Sequence, residues 1–406
     1  MPQKMLKEAE QIHDIILRER RTLHQIAETG FELTQTVAFV KNELTEMGLQ
    51  PTDCGRAGIV ALVGGKKPGK TFLLRADMDA LPIKEQSGLS FAAQNGNMHA
   101  CGHDMHTAML LGAARLLKTH EEEIEGTVKL MFQPAEEIFE GSSDMLKAGL
   151  LDEPKVDAAL MIHVMAGMPF SPGTVIVSAP GVSAPAADYF EITVRGKGCH
   201  GSMPNTGVDP LTAAAHILIA LQEIQARELA MGDRAVLTVG TLHAGTAANA
   251  IPDEAVLGGS IRTFDEETRA FIKQRLTEIA EGTAAVFRAT ATVSFGSGCP
   301  TLKNDRELTV SAERYMTELL GNEKALSAAK LNEAGGGQGS KTAGSEDFAY
   351  ISQAVPSVML ALAAGQPEKG YCYPQHHPMV KFDESVLACG SAVYAYAALR
   401  WLAEHK

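Results

Sequence analysis

Apolar residues recur at two different spacings along the first 180 residues of the chain. Ile12, Ile16 and Leu23 fall on one face of a helix predicted over residues 8–27, because a helix brings positions three, four and seven apart to the same side. A second helix of the same kind is predicted over residues 34–47. Each helix presents an apolar face that must pack against another layer.

Continuous apolar runs follow these helices. Such runs are typical of strands that are buried on both faces of a sheet. They occupy residues 58–63, 71–74, 127–132 and 158–162. Helices predicted near residues 106–117 and 142–148 lie between them. This alternation of strand and helix indicates an α/β layer with a largely parallel sheet.

The pattern changes near residue 185, where strict alternation replaces continuous runs. Residues 189–195 alternate apolar and polar side chains, as a half-exposed strand does. The elements predicted after it are a helix at 209–229, strands at 235–241 and 255–263, a helix at 266–287 and a strand near 290–295. This βαββαβ order is the ferredoxin-like arrangement.

Beyond Pro300 the pattern returns to helices around a strand at 357–363, with a closing helix at 384–404. We therefore predict an α/β protein of two domains. Residues 1–183 and 299–406 form a catalytic, metal-binding α/β/α sandwich with a mostly parallel sheet. Residues 184–298 form an inserted, ferredoxin-like α+β lid and dimerisation domain.

Composition limits the partners that this chain can have. Its 406 residues exceed the usual size of one domain, and 36 Lys and Arg against 49 Asp and Glu give a formal net charge of −13. Phosphate backbones and anionic membrane surfaces repel so acidic a chain. We therefore expect no nucleic-acid partner and no membrane partner. No signal peptide or membrane-spanning run is visible, so the cytoplasm is the expected compartment.

Three common kinds of site are disfavoured. The six cysteines are scattered without a Cys-x-x-Cys pair, which argues against a disulfide framework and a zinc finger. No Gly-x-Ser-x-Gly elbow supports a serine hydrolase. The glycine-rich residues 334–344 lack the P-loop pattern, because Ser340 separates the last glycine from Lys341 and the upstream segment is helical and polar. We predict a surface loop there.

Potential metal ligands are concentrated in residues 97–106, between a predicted strand and a helix. In an extended segment Cys101 and His103 point to the same side, so both could reach one metal ion. Asp104 is placed to hydrogen-bond a ligand or to cap the following helix. The alternative is a histidine-rich loop with structural hydrogen bonds.

A pair of carboxylates, Glu136 and Glu137, ends another apolar strand. Burying both is costly unless they meet cations, and neighbouring side chains on a strand diverge. One carboxylate could therefore bind a metal while the other transfers a proton. The alternative is a solvated helix N-terminus.

Single histidines complete this set. His163 ends a further strand, and His376 and His377 lie in a loop. Each alone is weak evidence, since a lone histidine is often a satisfied core residue. All of these candidates nevertheless lie at the carboxyl ends of strands or in loops of the predicted α/β layer. Open α/β sheets bind their ligands there.

The predicted inserted domain carries candidates of another kind. His200 stands in a glycine-rich turn, and Asn249 and Arg262 follow. An Arg fork with an Asn amide would suit a substrate carboxylate. Turn glycines and a surface Arg are the alternative, and composition does not decide between them.

Eight short motifs occur in one order along nearly the whole chain. They are RADMDALP (75–82), MHACGHD (98–104), QPAEE (133–137), GCHGSMP (198–204), NAIP (249–252), SIR (260–262), GSEDF (344–348) and HHP (376–378). In this series the chain resembles the metal-dependent amidohydrolases that include hippurate hydrolase, indole-acetyl-amino-acid hydrolases, N-acetyl-diaminopimelate deacetylase and bacterial aminoacylases.

The resemblance implies a site with two divalent metal ions per subunit. Zinc is favoured, with manganese, cobalt or nickel as alternatives. The implied ligands are Cys101, His103, Glu137, His163 and His376, with Cys101 as the bridge. Glu136 takes the general acid/base role. The lid domain is expected to form a homodimer or a higher homo-oligomer.

Further roles are implied for the inserted domain. His200 would approach the scissile carbonyl, in relatives often across a dimer interface, and stabilise the oxyanion. Asn249 and Arg262 would hold the carboxylate of the amino acid product. We therefore expect hydrolysis of N-acyl amino acids to a carboxylic acid and a free amino acid. A dipeptidase or carboxypeptidase, an N-carbamoyl amidohydrolase and a catalytically silent binding protein are the alternatives.

Three features depart from the resembled pattern. The chain has His24-Gln25-Ile26-Ala27-Glu28 where relatives usually show His-x-x-Pro-Glu, and Cys199 where a second glycine often precedes the histidine. The glycine-rich loop at residues 335–339 is also atypical. None of these departures removes an implied ligand or the implied base. They bear on the details of the substrate rather than on the reaction.

Overall fold

The computed structural model describes residues 1–334 and 344–406. These residues divide into two units. The first unit contains residues 1–183, 303–334 and 346–406, and the second contains residues 184–302 with residues 344–345. Residues 335–343 of the predicted glycine-rich surface loop lie outside the described residues.

Strands and helices follow one another closely in both units. The strands are β1 (Thr52–Cys54), β2 (Gly58–Gly64), β3 (Thr71–Asp77), β4 (Thr127–Gln133), β5 (Ala158–Met165), β6 (Val175–Val177), β7 (Gly181–Ala184), β8 (Ala186–Arg195), β9 (Cys199–His200), β10 (Ala235–Ala244), β11 (Ala250–Ile251), β12 (Glu254–Thr263), β13 (Thr290–Cys299), β14 (Leu302–Asn304), β15 (Ala325–Ser327) and β16 (Ser357–Ala363). The helices are α1 (Pro2–Gln11), α2 (His13–Gln25), α3 (Thr34–Glu46), α4 (His103–Thr119), α5 (Gly141–Lys147), α6 (Pro210–Ala220), α7 (Glu266–Val286), α8 (Arg306–Leu320), α9 (Ala328–Ala334), α10 (Ala349–Ala354) and α11 (Leu387–Glu404).

An eight-stranded sheet forms the centre of the first unit, in the order β1-β2-β4-β3-β5-β16-β6-β15. The four middle strands, β4, β3, β5 and β16, are parallel to one another. Antiparallel pairs lie towards the edges, at β1-β2, β2-β4 and β16-β6. Every residue of β3 and of β4 is buried, which explains their continuous apolar runs.

Helices cover both faces of this sheet. Phe72 and Leu74 of β3 belong to the large apolar core that also contains residues of α4 and α11. The alternate side chain, Arg75, points to the opposite face, where α5 and α10 contact β4 and β16. The predicted α/β/α sandwich with a mostly parallel sheet is confirmed.

The second unit has its own sheet and its own core. Its four strands are antiparallel in the order β10-β12-β8-β13, and the pair β9 and β11 forms a separate two-stranded sheet. Phe190 and Ile192 of β8 pack with Ile217 of α6 and Leu276 of α7. The chain order β8-α6-β10-β12-α7-β13 is the predicted ferredoxin-like βαββαβ arrangement.

Two predicted helices are interrupted. The backbone at Ile12 (φ −102°, ψ 5°) leaves the helical region, so α1 and α2 replace the single helix predicted over residues 8–27. Likewise α6 ends at Ala220, and a wider five-residue π-helical turn follows at Ile224–Glu228 within the predicted helix 209–229. Apolar periodicity continues across both breaks and therefore did not reveal them.

The closing helix has the length and apolar character of a membrane-spanning helix. The candidate span is Glu384–Glu404, and 83% of its most apolar 18-residue window is buried inside the described structure. Val393, Tyr394 and Leu399 of this segment are core residues of the first unit. Its apolar character is accounted for by packing within the protein.

Candidate metal centre

Three neighbouring parallel strands bring chemically active side chains to one edge of the first sheet. Because β4, β3 and β5 are parallel, their carboxyl ends lie at the same edge. Asp77 ends β3, Gln133 ends β4, and His163 lies near the end of β5. The first turn of α4 carries His103 to this edge as well.

The five side chains implied as metal ligands converge there. The ligand atoms of Cys101, His103 and His163 all lie within 4.8 Å of one another, and those of Cys101, Glu137 and His376 do so too. Cys101 Sγ is 3.5 Å from His163 Nε2, and His376 Nε2 is 3.5 Å from Glu137 Oε2. We refer to these five residues as the ligand cluster; Cys101 belongs to both of its groups.

The segment that carries Cys101 and His103 is not extended, so this part of the prediction was wrong. Gly102 has a φ of 90°, and His103 is the first residue of α4. A Cβ at Gly102 would lie 2.5 Å from Val164 Cγ2, so only glycine fits both the backbone and the space. Asp104 does not cap α4, which receives no side-chain cap hydrogen bond. The turn at Gly102, rather than strand alternation, brings the two ligands together.

The turn at Ala135 sets the direction of both glutamates. Ala135 has a φ of 53°, a left-handed conformation that is strained for a residue with a Cβ. The N–H groups of Glu136 and Glu137 then donate to the Asp79 carboxylate at 3.0 and 3.2 Å. Both glutamate side chains approach His103 Nε2, at 3.9 and 3.8 Å. They converge instead of diverging as predicted, because the strand ends before them.

Hydrogen bonds to the outer ring nitrogens aim the histidines at the cluster. His103 Nδ1 donates to the Asp79 carbonyl oxygen at 2.8 Å, and His163 Nδ1 donates to the Val164 carbonyl oxygen at 2.7 Å. Nε2 is therefore the ring nitrogen of each histidine that faces the cluster and could bind a metal ion.

Two buried atoms of the ligand cluster support its fit to a metal ion. Within the described part of the chain, the buried atoms His103 Nε2 and Glu137 Oε1 have no hydrogen-bond partner. Buried polar atoms are rarely left in that state. The arrangement of these donors therefore fits a metal site.

A second histidine in α4 has a different role. His106 Nδ1 lies 2.6 Å from Asp77 Oδ1, and His106 Nε2 accepts a hydrogen bond from Val164 N at 2.8 Å. Both ring nitrogens are therefore used within the protein, although Asp77, His103 and His106 are close enough to hold an ion. Burial would lower the pKa of His103, but the Asp77 carboxylate raises it well above its usual value. Asp77 and His106 therefore lie next to the cluster and stabilise it through contacts within the protein.

A buried ionic network lies under the cluster, and its residues were not among the predicted site residues. Arg75 Nη1 contacts Asp77 at 2.6 Å, and Arg75 Nη2 contacts Glu346 at 2.8 Å and Asp347 at 3.2 Å. The Gln133 amide also donates to Asp347 at 2.6 Å. The available signal was position, because Asp77 and Gln133 are the last residues of two buried strands.

Burial raises the pKa values of the acidic side chains in the cluster and of its neighbour Glu136. It raises the pKa of the Cys101 thiol to about 12, and the neighbouring Glu137 adds to the rise. Burial raises the pKa of Glu137 to about 7. Burial and the adjacent Glu346 hold the pKa of Glu136 well above its usual range. Such shifted acids are typical of catalytic sites.

The loop histidines differ in their surroundings. His376 adopts a φ of 65° and donates its backbone N–H to the Ala100 carbonyl oxygen at 3.0 Å. This bond ties its loop to the segment before Cys101. His377 instead stacks on Tyr373, with ring centroids 4.4 Å apart. The geometry places His376, and not His377, in the ligand cluster.

Two of the remaining predicted site residues lie side by side in the second unit. His200 is exposed on β9, and its Nδ1 lies 2.8 Å from Ser202 Oγ. Gly201 N donates to the Asn249 carbonyl oxygen at 2.8 Å, which places Asn249 next to this turn. In the pairing of β9 with β11, His200 lies opposite Ala250, the residue that follows Asn249.

The third residue, Arg262, lies on β12 of the same unit. Its Nη1 donates to Ser345 Oγ at 2.8 Å and its Nη2 donates to the Tyr189 hydroxyl at 3.2 Å. The guanidinium also lies 5.6 Å from the centre of the Tyr189 ring. These contacts fix the plane of the guanidinium group.

Comparisons with known proteins agree with this arrangement. The family model described as "Peptidase family M20/M25/M40" matches residues 73–400. The N-acetyl-L-cysteine deacetylase of Bacillus subtilis (strain 168) is 37% identical over 388 residues, which cover 94% of this chain and 87% of that protein. The IAA-amino acid hydrolase ILR1-like 2 of Arabidopsis thaliana is 34% identical, with 97% of this chain and 87% of that protein covered.

A solved structure shows the same fold. It is a dinuclear metal binding peptidase from the M20 family of Bacillus subtilis, 31% identical to this chain with a TM-score of 0.77. The match covers 97% of this chain and 99% of that one. The similarity therefore extends over both units.

Proposed function

Because the chain belongs to the M20/M25/M40 family of peptidases and is an enzyme that acts on amides, we propose that it hydrolyses N-acyl amino acids to a carboxylic acid and a free amino acid. One observation carries this proposal: five ligand-type side chains converge beside the buried acid Glu136. The relatives named as a deacetylase of N-acetyl-L-cysteine and a hydrolase of IAA-amino acids support the substrate class.

The ligand cluster is proposed to hold two divalent cations. Its donors are one thiol, three imidazoles and one carboxylate, a set that suits zinc, with manganese, cobalt or nickel as alternatives. Cys101 Sγ lies within 4.8 Å of ligand atoms of the other four residues, so this side chain would help to hold the cations. When bound, the cations would polarise the amide carbonyl and make water a stronger acid.

Glu136 is proposed as the general acid and base. Its carboxyl group is buried and next to the cluster, with Oε2 3.9 Å from His103 Nε2. Burial and Glu346 raise its pKa, which favours a protonated carboxyl group that can act as a general acid. Glu136 would take a proton from the attacking water and pass it to the leaving nitrogen.

The second unit is proposed to act as a lid that recognises the substrate. Arg262, held in place by Tyr189 and Ser345, would pair with the carboxylate of the amino acid part. Asn249 would donate its amide to the same carboxylate. His200 would stabilise the oxyanion as the tetrahedral intermediate forms.

We also propose that the chain forms a homodimer or a higher homo-oligomer through the second unit, in the cytoplasm. Strand β10 lies at the edge of its sheet and leaves Val236 and Leu242 exposed. An exposed edge strand with apolar side chains is suited to pair with another strand. Sedimentation of the purified protein would test this assembly.

A substrate panel tests the proposed reaction. Purified protein, stripped of metal with a chelator and reloaded separately with zinc, manganese, cobalt or nickel, would be assayed on N-acetyl, N-benzoyl and indole-acetyl amino acids. Dipeptides, longer peptides with a free carboxyl end and N-carbamoyl amino acids complete the panel. We expect the N-acyl amino acids to be the best substrates, with activity lost on chelation and restored by metal.

Other outcomes would contradict the proposal in distinct ways. Preference for peptides would indicate a dipeptidase or carboxypeptidase, and preference for N-carbamoyl compounds would indicate a carbamoyl amidohydrolase. Binding of an N-acyl amino acid without turnover, at any metal loading, would indicate a silent binding protein. Activity that survives complete removal of metal would overturn the metal-dependent reaction.

A further inference from the structure

One histidine outside the ligand cluster is enclosed between two acidic side chains. His24, at the end of α2, is buried, and its Nδ1 lies 2.8 Å from Asp104 Oδ2. On the other side its Nε2 lies 3.1 and 3.2 Å from the two carboxylate oxygens of Glu85. His24 begins the segment His24-Gln25-Ile26-Ala27-Glu28, which the proposed function leaves without a role.

This geometry requires a positively charged ring. Ionised carboxylates only accept hydrogen bonds, so both nitrogens of His24 must carry a proton to donate to Asp104 and Glu85. The guanidinium of Arg20 also contacts Asp104, at 2.7 Å, and Glu384, at 3.0 Å. His24 and Arg20 therefore lie in one ionic network with three carboxylates.

Each carboxylate is attached to a segment that carries ligands. Asp104 directly follows His103 in the first turn of α4. A shift of Asp104 would therefore shift the backbone that bears His103 and, through Gly102, Cys101.

Glu85 connects the ring to the other side of the cluster. It lies in the loop 82–97, which is closed by reciprocal backbone hydrogen bonds between Leu81 and Met98 at 3.0 and 2.9 Å. Ala93 N donates to the Glu85 carboxylate at 2.8 Å within this loop. The next residue, Gln86, donates its N–H to the Pro378 carbonyl oxygen at 2.8 Å, two residues beyond His376.

We propose that His24 is a positioning residue for the metal centre. By bridging Asp104 and Glu85, it holds the start of α4 and the loop 82–97 in the arrangement in which the ligand cluster converges. This inference rests on the proposed metal binding, and it adds a residue that touches neither a ligand nor the substrate.

The chain offers a matched control at the opposite end of the same helix. His120 directly follows α4 and is also buried between two glutamates, with Nε2 2.8 Å from Glu8 and Nδ1 3.1 Å from Glu123. No member of the ligand cluster is in contact with this group among the described side chains. Its replacement therefore measures the cost of losing such a bridge without a link to the metal site.

The test compares zinc binding by metal-free His24→Gln and His120→Gln proteins with that of the unaltered protein. A chromophoric chelator competing for zinc gives the dissociation constant without an activity assay. A glutamine amide can donate to only one of the two carboxylates, so His24→Gln should weaken zinc binding about tenfold, within the range for residues that support metal ligands. At saturating zinc its kcat should recover, because every ligand is still present.

The outcomes separate positioning from general stabilisation. His120→Gln should lower the melting temperature but leave the zinc dissociation constant unchanged. An unchanged constant in His24→Gln, or an equal loss in both variants, would overturn the positioning role. If the unaltered protein bound none of zinc, manganese, cobalt and nickel, the proposed function itself would fail.

A second pair of variants covers the case in which His24→Gln does not fold. Glu85→Ala removes the loop side of the bridge while His24 and Asp104 remain, and Glu123→Ala is its counterpart at His120. Glu85→Ala should weaken zinc binding about as much as His24→Gln, whereas Glu123→Ala should not. Equal zinc affinity in these two variants would likewise contradict the proposal.

Discussion

A carboxyl group buried beside other acids is stable only if it keeps a proton or faces a cation. Glu136 is in this position, with Glu346 and Glu137 as acidic neighbours and its pKa raised by burial. Arg75 pairs with Asp77, Glu346 and Asp347 and not with Glu136. The raised pKa allows Glu136 to hold a proton, which is the property that the proposed reaction needs.

The first prediction concerns that proton. Glu136→Gln keeps the size of the side chain but cannot take up a proton, so turnover should fall at least about 10²-fold, the usual lower value for general acid/base catalysis. Metal content, measured by elemental analysis, should stay at the level of the unaltered protein. Glu140→Gln, in the same turn but paired with Arg56, is the control and should leave turnover nearly unchanged. Near-normal turnover in Glu136→Gln would contradict the assignment.

The second prediction concerns pH. Burial raises the pKa of Cys101 to about 12 and that of Glu137 to about 7, so metal binding must displace the thiol proton throughout the neutral range and the carboxyl proton below about pH 7. Protons compete with metal, and affinity should therefore rise as pH rises. We expect zinc affinity to increase at least about tenfold per pH unit above pH 7, because the raised pKa of His103 adds to the proton competition, and more steeply below it. Zinc titrations of metal-free protein at pH 6, 7 and 8 test this; a flat profile would contradict it.

At the scale of elements, the end of β3 organises the ends of its neighbours. Asp79 follows this strand, and it binds the N–H groups of Glu136 and Glu137 through its side chain and His103 through its carbonyl oxygen. One residue thus fixes the turn after β4 and the ring at the start of α4. This connection explains how a strained left-handed Ala135 is maintained.

The third prediction tests this connection. Asp79→Ala would leave the buried N–H of Glu136 and that of Glu137 without their acceptor, at a cost of about 1–3 kcal/mol each. We expect a lower melting temperature and a loss of turnover greater than about tenfold, since a misplaced general base or ligand is costly. Asp53→Ala, an exposed carboxylate on β1, is the control. A variant with unchanged turnover would show that the turn holds its shape without Asp79.

The elements of both units were predictable because burial leaves a periodic pattern in the sequence. β3 and β4 are buried throughout and read as apolar runs, whereas β8 alternates because one of its faces is exposed. Three-residue strands such as β6 and β15 are too short to give such a signal. Element type therefore followed from local pattern, and fold class followed from the order of the elements.

The candidate site was predictable only in part. The ligand residues stand in motifs, and the structure brings all five together. The network around Arg75 joins residues 271 positions apart, and pairings over that distance have no local pattern. The left-handed turn at Ala135 was equally hidden, because alanine carries no turn signal and only the tertiary contacts of its neighbours hold it there.

At the scale of the whole molecule, each unit has its own apolar core. A unit of this kind is able to fold alone. We therefore predict that a fragment of residues 184–302 unfolds cooperatively on heating, as followed by circular dichroism. A gradual, non-cooperative transition would show that this unit depends on the first one. The fragment should bind no zinc at the ligand cluster, because all five of its residues belong to the first unit.

The net charge of −13 would by itself repel the carboxylate of an N-acyl amino acid. Two cations in the ligand cluster would make the cluster locally attractive to that anion. The central claim is therefore that the cluster binds the metal. Anomalous diffraction at the zinc edge, from crystals of the zinc-loaded protein, tests it most directly. We predict two peaks within about 2.0–2.3 Å of ligand atoms in the set Cys101, His103, Glu137, His163 and His376. Zinc bound elsewhere, with no peak among these five residues, would contradict the account.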